Sequence, residues 1–234
     1  MQRITICSIP VDVVLKTEAL ERCREFLRDG KQHQVVTVNP EFIVEAQKNS
    51  AFREALQKSD LALADGIGVF FAARYLHGLA LERIPGIEFM LDICMLAEKE
   101  HASLFFLGGR ENVAQKTAKI LQSRFPGLQV SGCSEEPGGL SEVDADILFV
   151  ALGAPKQELW IAQNLARFPR VKIAMGVGGA FDMLSGKIKR APRWLRKLGL
   201  EWVWRFALEP WRLGRIYRAV CVFPVLVLKE KSRG

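Results

Sequence analysis

The chain has 234 residues, 49% of them hydrophobic and 25% charged, with a formal net charge of +7. That hydrophobic share excludes a disordered chain and supports one large domain, or one domain with an appendage. The five cysteines (Cys7, Cys23, Cys94, Cys133, Cys221) are odd in number and scattered, with no CxxC pair and no Cys/His cluster. This argues against both a disulfide framework and a zinc module, and reduced cytoplasmic thiols are expected.

No charged segment followed by a long apolar one opens the sequence, and no run of about 18 apolar residues occurs, so neither a signal peptide nor a transmembrane helix is expected. The basicity is a property of the tail. From Lys187 to Gly234 there are 13 Lys/Arg against three acids, whereas residues 1–186 carry 20 basic and 23 acidic groups. Four of the five tryptophans (Trp194, Trp202, Trp204, Trp211) share the tail. Nucleic acid and anionic membranes both attract such a segment. A nucleic-acid module would extend its basic residues onto the rest of the chain, which is instead slightly acidic.

In chain order, residues 2–8 read as a first strand. Thr17 opens a helix whose apolar positions follow the 3.6-residue period until Gly30. His33–Asn39 is the next strand. Asn39-Pro40 starts a helix, with Asn as N-cap and Pro in the first turn, and a break is expected near Ser50. Leu61–Ala64 is a buried strand ending in Asp65-Gly66-Ile67-Gly68, followed by an amphipathic run from Val69 to Leu76. A helix follows Pro85-Gly86. Ala102–Leu107 is a strand, Gly108-Gly109 a turn, and Val113–Phe125 a helix. Leu128–Gly132 and Asp146–Leu152 are strands, Gln157–Phe168 a helix, and Val171–Met175 a last strand. This alternation defines an α/β fold with a mostly parallel sheet and helices on both faces. The character of the chain changes after about Ala191, dividing it into residues 1–190 and a basic, Trp-rich appendage, residues 191–234.

Ligands in such sheets bind at the carboxyl ends of the strands. Asp65 stands at one such end, where it serves either as a helix cap or as a working carboxylate. Thr37 and Asn39, two apart, face the same side of another strand end. Gly108-Gly109 is a plausible anion cradle, and Gln157 presents an amide in the first turn of a helix. The turn Gly176-Val-Gly-Gly-Ala-Phe181 lacks GxGxxG, so no dinucleotide fingerprint is present, which disfavours a Rossmann oxidoreductase or methyltransferase. Asp144-Ala-Asp146 resembles a metal clip but precedes its strand, at the wrong sheet edge, and reads as loop acids. Arg205, Arg212 and Arg215 fall near one helical face by spacing, unless Pro210 starts a new helix between them. The run Ala219–Leu228 is too short to span a bilayer and carries a proline; lying in an interface is the reading that fits it.

Several of these segments, in this order, resemble the WecG/TagA/CpsF glycosyltransferases: Thr37-Val-Asn39-Pro40, Leu63-Ala-Asp65-Gly66-Ile-Gly68, Arg83-Ile-Pro85-Gly86, Leu107-Gly-Gly109, Gly153-Ala-Pro155-Lys-Gln157-Glu158, Gly176–Asp182, Gly186–Pro192, and the tail pattern from Gly199-Leu-Glu201-Trp to Arg215. The resemblance covers nearly the whole chain and implies a Rossmann-like catalytic domain with a basic helical C-terminal appendage. It further implies an inverting, metal-independent transferase, with no cofactor. Such enzymes move an N-acetylmannosamine-type sugar from a UDP-sugar to a polyprenyl-diphosphate-linked N-acetylglucosamine, in the synthesis of teichoic acid, exopolysaccharide or another cell-surface polymer. The alternative within the same family is another UDP-hexose or a uronic acid as donor, and no residue of the sequence decides between them. The resemblance assigns Asp65 as general base and Thr37, Asn39, Arg83 and Gln157 to the pocket. Arg205, Arg212 and Arg215 would reach the substrate from the appendage, and Gly108 and Gly109 are added as substrate-binding on the cradle argument. The implied location is cytoplasmic and peripheral on the inner face of the cell membrane, docked through residues 191–234, with no nucleic-acid partner and with homo-oligomerisation left open.

Overall fold

The computed structural model describes residues 1–233, and of Lys197 and Arg212 only the backbone. Six parallel strands form the central sheet: β3 (His33–Val38), β4 (Leu61–Ala64), β5 (Ser103–Gly108), β6 (Gln129–Ser134), β7 (Ile147–Ala151) and β8 (Ile173–Gly176). Their spatial order is β4-β3-β8-β7-β5-β6. Chain segments run outward from β3 to β4 and from β5 to β6, and inward from β7 to β8, so neighbouring strand ends diverge and leave a crevice.

Side-chain alternation sorts the strands onto two faces. Val35, Leu61, Leu63, Phe106, Phe149 and Met175 pack with α1 (Lys16–Arg28), α5 (Gly86–Glu100), α6 (Val113–Arg124) and α8 (Ala180–Leu184). Val36, Val38, Ala62 and Ala64 face α2 (Pro40–Lys48), α3 (Ser50–Gln57) and α4 (Ile67–His77). Leu148, Val150 and Ala174 face α7 (Lys156–Asn164). Asn39 caps α2, its side chain accepting from the Phe42 N–H at 3.0 Å, and Asn49 caps α3 in the same way. The break near Ser50 is therefore a capped junction between two helices.

The first segment departs from expectation. It is a hairpin, β1 (Gln2–Ile6) and β2 (Ile9–Val13), turning at Cys7 and Ser8 with φ of 48° and 67°. Two positive-φ central residues match the right-handed strand twist, but Cys-Ser lacks the Asn-Gly chemistry that announces such a turn in sequence. The hairpin lies against the outer edge of β4, where Asp12 accepts the Ala62 N–H at 2.7 Å. That bond satisfies an edge donor that otherwise invites pairing with another chain.

The tail is helical: α9 (Arg193–Lys197), α10 (Glu201–Leu208), a 3-10 turn (Pro210–Arg212), α11 (Leu213–Tyr217), a wider π-type turn (Arg218–Val222) and α12 (Phe223–Lys231). Pro210 does interrupt the helix, so Arg205 and Arg215 stand on different helices rather than on one face. Within the apolar run Ala219–Leu228, Phe223 and Val227 are buried against the hairpin and α4, while Val220, Val225 and Leu228 remain exposed. The approach is close because Gly68 has no side chain: a Cβ there would lie 2.7 Å from Pro40 and 3.5 Å from Phe223. At its far end, Glu230 accepts the Cys7 N–H at 2.8 Å, tying the tail to the hairpin turn.

Candidate active site

A cleft of about 1510 Å³ runs along the carboxyl ends of the strands and is closed on one side by the tail. Thr37, Asn39, Asp65, Arg83, Gly109, Gln157, Arg205 and Arg215 all line it, so residues far apart in sequence converge on one space.

Asp65 does not cap α4. Gly66 occupies the cap position with φ of 94°, and no side chain bonds the helix N-terminus. The Asp65 carboxylate turns instead to the start of α5, where its Oδ2 accepts the Gly86 N–H at 3.2 Å. Burial pushes its pKa up to about 6, against the lowering effect of the Gly86 N–H; Glu201 raises it further, Arg83 opposes, and Glu88 adds a smaller upward push. Desolvation of the charged form outweighs the N–H bond and the cation. The outcome is a carboxylate that is ionised at neutral pH yet more basic than an ordinary aspartate. The dipeptide Pro85-Gly86 explains the geometry: Pro85 occupies the N-cap of α5, and the bare Gly86 admits the Thr37 hydroxyl, which would stand 3.0 Å from a Cβ there.

Arg83 is half-buried and donates from Nη2 to the Arg196 carbonyl in the tail. Gly199 packs over it; a Cβ would be 3.1 Å from Nη1. Arg190 and Arg196 both bond Glu88 on the first turn of α5, at 2.8 and 3.1 Å. The start of the tail is thus fastened beside Asp65 by charges from both segments.

Gln157 is 3% exposed, and its amide is largely engaged within the protein. Its oxygen accepts the Gly153 N–H at 3.1 Å and the Gly178 N–H at 3.0 Å, while its nitrogen donates to Glu158 at 2.7 Å. Gly109 reaches the cleft, but its N–H is already donated to the Ala151 carbonyl at 3.3 Å. Gly108 lies behind it, where a Cβ would collide with that same carbonyl at 2.7 Å. Arg205 is buried; Nε and Nη2 each bond Glu209 at 2.6 Å, and the guanidinium lies over Gly179. Arg215 pairs with Glu41 of α2. The side chain of Arg212 lies outside the described residues.

Sequence reasoning gave no site role to Glu41, or to Glu201, which it named only within the tail pattern; both line the cleft. Glu41 carries only the signal of an acid in a helix first turn, and nothing local marks its partner 174 positions away. Asp144 and Asp146 lie at the opposite sheet edge, as expected: Asp146 accepts the Ser103 N–H and hydroxyl, and Asp144 pairs with Arg170.

A parallel α/β sheet with a basic carboxylate, a clasped glycine turn and several arginines around one strand-end cleft is the layout of an enzyme acting on an anionic ligand. The sequence profile described as the Glycosyl transferase WecG/TagA/CpsF family matches residues 4–234, and the chain belongs to this family. It is 32% identical over 241 aligned positions to the N-acetylglucosaminyldiphosphoundecaprenol N-acetyl-beta-D-mannosaminyltransferase of Bacillus subtilis (strain 168), covering 99% of this chain and 93% of the relative. It is 30% identical to the protein of the same name in Staphylococcus aureus (strain MRSA252), covering 99% and 94%.

Proposed function

We propose that the protein transfers N-acetylmannosamine from a UDP-sugar to N-acetylglucosamine on a polyprenyl diphosphate, inverting the anomeric centre without a metal cofactor. The activity named for relatives that align end to end supports the acceptor and the sugar. The observation that carries the chemistry is Asp65, cleft-facing with its pKa raised to about 6.

In this reading Asp65 takes the proton of the acceptor hydroxyl as its oxygen attacks the anomeric carbon. The new C–O bond forms on the face opposite the one that breaks, and UDP leaves with the electron pair. A positioned general base contributes roughly 10²–10⁴-fold. Negative charge then develops on the leaving diphosphate, and donors preorganised around it stabilise the transition state. Arg83, Arg205 and Arg215 are assigned that role among the cations lining the cleft, which also include Arg110, Lys156 and Lys187. Among the described residues no three His, Cys, Asp or Glu side chains gather into a metal cage.

Among the described residues no helix is long and apolar enough to cross a membrane. We infer peripheral attachment to the inner face of the cell membrane through residues 191–234, since Trp211 and Trp194 are 77% and 62% exposed on a basic segment. Each basic residue near an anionic leaflet contributes on the order of 1 kcal/mol.

The test is incubation with a lipid-diphosphate N-acetylglucosamine acceptor and a panel of UDP-sugars. UDP-N-acetylmannosamine is expected to be consumed with formation of a β-linked disaccharide lipid, in the presence of a chelator. Turnover of another UDP-hexose in preference, retention of anomeric configuration, or loss of turnover on chelation overturns the corresponding part of the proposal.

A further inference from the structure

The transfer chemistry leaves Glu158 without a task, although its placement is costly. It is 1% exposed in the first turn of α7, burial pushes its pKa up to about 7, and its Oε2 is buried with no hydrogen-bond partner. A buried carboxyl with one unsatisfied oxygen destabilises a fold.

Its other oxygen makes one contact of consequence, accepting from Gln157 Nε2 at 2.7 Å. The two side chains lie directly beneath Gly176, the last residue of β8, where a Cβ would fall 2.6 Å from each of them. The Gln157 oxygen in turn receives the N–H groups of Gly153 and Gly178, in the turns after β7 and β8. An amide can sit either way round in its plane. Flipped, it would aim its NH₂ at those two backbone donors and leave them unsatisfied. Oε1 accepts from Gln157 whether the carboxyl is ionised or carries its proton on the unpartnered Oε2, so Glu158 favours the orientation that leaves the Gln157 oxygen facing the two N–H groups.

We propose that Glu158 is a positioning residue for sugar transfer: it fixes the Gln157 amide so that one oxygen clasps the Gly153 and Gly178 N–H groups and holds the two strand-end turns in the shape that receives the donor. This rests on the reading of the cleft as the donor site. It moves Gln157 from presenting an amide to substrate to shaping the wall that substrate meets.

Two readouts on the full-length protein test it. The first, amide exchange at Gly153 and Gly178, needs no ligand and decides the clasp even if the donor assignment fails. The second is steady-state transfer from UDP-N-acetylmannosamine, and absence of that transfer in the unmodified protein overturns the donor reading alone. Glu158→Ala is expected to speed exchange at both glycines and to raise KM for the donor about tenfold, with kcat within about threefold, as for loss of one charged-acceptor bond. Glu158→Gln, whose carbonyl still accepts, recovers most of the loss. Gln157→Glu sets two carboxyls face to face and is expected to be worse than Glu158→Ala. Adding Glu158→Gln to it reverses donor and acceptor and restores both readouts, and this pair keeps the test sharp if the alanine variant unfolds. Unchanged exchange at Gly153 and Gly178 in a folded Glu158→Ala protein, or a double variant no better than Gln157→Glu alone, overturns the proposal.

Discussion

On the sheet side of the cleft, functional groups are held by backbone. Asp65 takes the Gly86 N–H, Gln157 takes those of Gly153 and Gly178, and Asn39 takes that of Phe42. On the tail side they are held by other side chains: Arg205 by Glu209 and Arg215 by Glu41. Backbone donors cannot be withdrawn without unfolding a strand end, whereas ion pairs at half-exposed sites exchange partners cheaply. The sheet wall is thus a fixed template; on the tail wall the buried Arg205–Glu209 pair is fixed as well, and in the proposed reading it is the half-exposed Arg215 whose carboxylate partner an incoming diphosphate can replace.

Breaking the fixed wall has the largest expected effect. Asp65→Asn retains an oxygen for the Gly86 N–H but removes the base, and transfer is expected to fall about 10²–10⁴-fold with UDP-sugar affinity within a few-fold, read by steady-state kinetics and calorimetry. The same substitution carries a stability signature. The folded-state pKa of Asp65 lies above the ordinary aspartate value of 3.8, so folding is favoured by protonation, and that stability is lost as pH rises from about 4 through about 6. Asp65→Asn is therefore expected to melt higher than the parent at pH 7.5 and to match it near pH 4, by thermal scanning.

On the tail wall the effects are smaller. Arg205→Gln removes a buried cation over Gly179 and is expected to lower kcat/KM about 10–10²-fold, at or below the loss of one oxyanion donor. Glu41→Gln sharpens the comparison from the other direction: releasing Arg215 from its partner should lower KM for the UDP-sugar about two- to fivefold, the worth of a partly exposed ion pair. A rise in KM instead would mean that Glu41 orients Arg215 rather than competing for it. Smallest of all, Trp211→Ala should weaken binding to anionic vesicles several-fold in a sedimentation assay while leaving turnover of a soluble acceptor unchanged.

The same division separates what the sequence discloses from what it conceals. The strand Leu61–Ala64, the Asn39 cap and the two-part helix beyond it follow from local rules: apolar runs, capping residues and Pro in a first turn. Asp65, Thr37 and Gln157 were legible because strand ends in a parallel sheet converge wherever the strands lie. The hairpin was missed because Cys7-Ser8 adopts a turn its residue types do not advertise. The partners of the tail arginines were missed because Arg215 meets Glu41 only after the tail folds back across 174 positions. The bonding of Gln157 was hidden for a related reason: sequence places its amide at the crevice, where it does lie, but only the turns after β7 and β8 reveal the N–H groups its oxygen accepts.

The pH dependence of kcat/KM for transfer from UDP-N-acetylmannosamine tests the central claim most directly. With Asp65 as general base and its pKa at about 6, the rate should hold near neutrality and fall about tenfold per pH unit below that value. A profile flat down to about pH 4.5, with no inflection where Asp65 takes up its proton, would contradict the account.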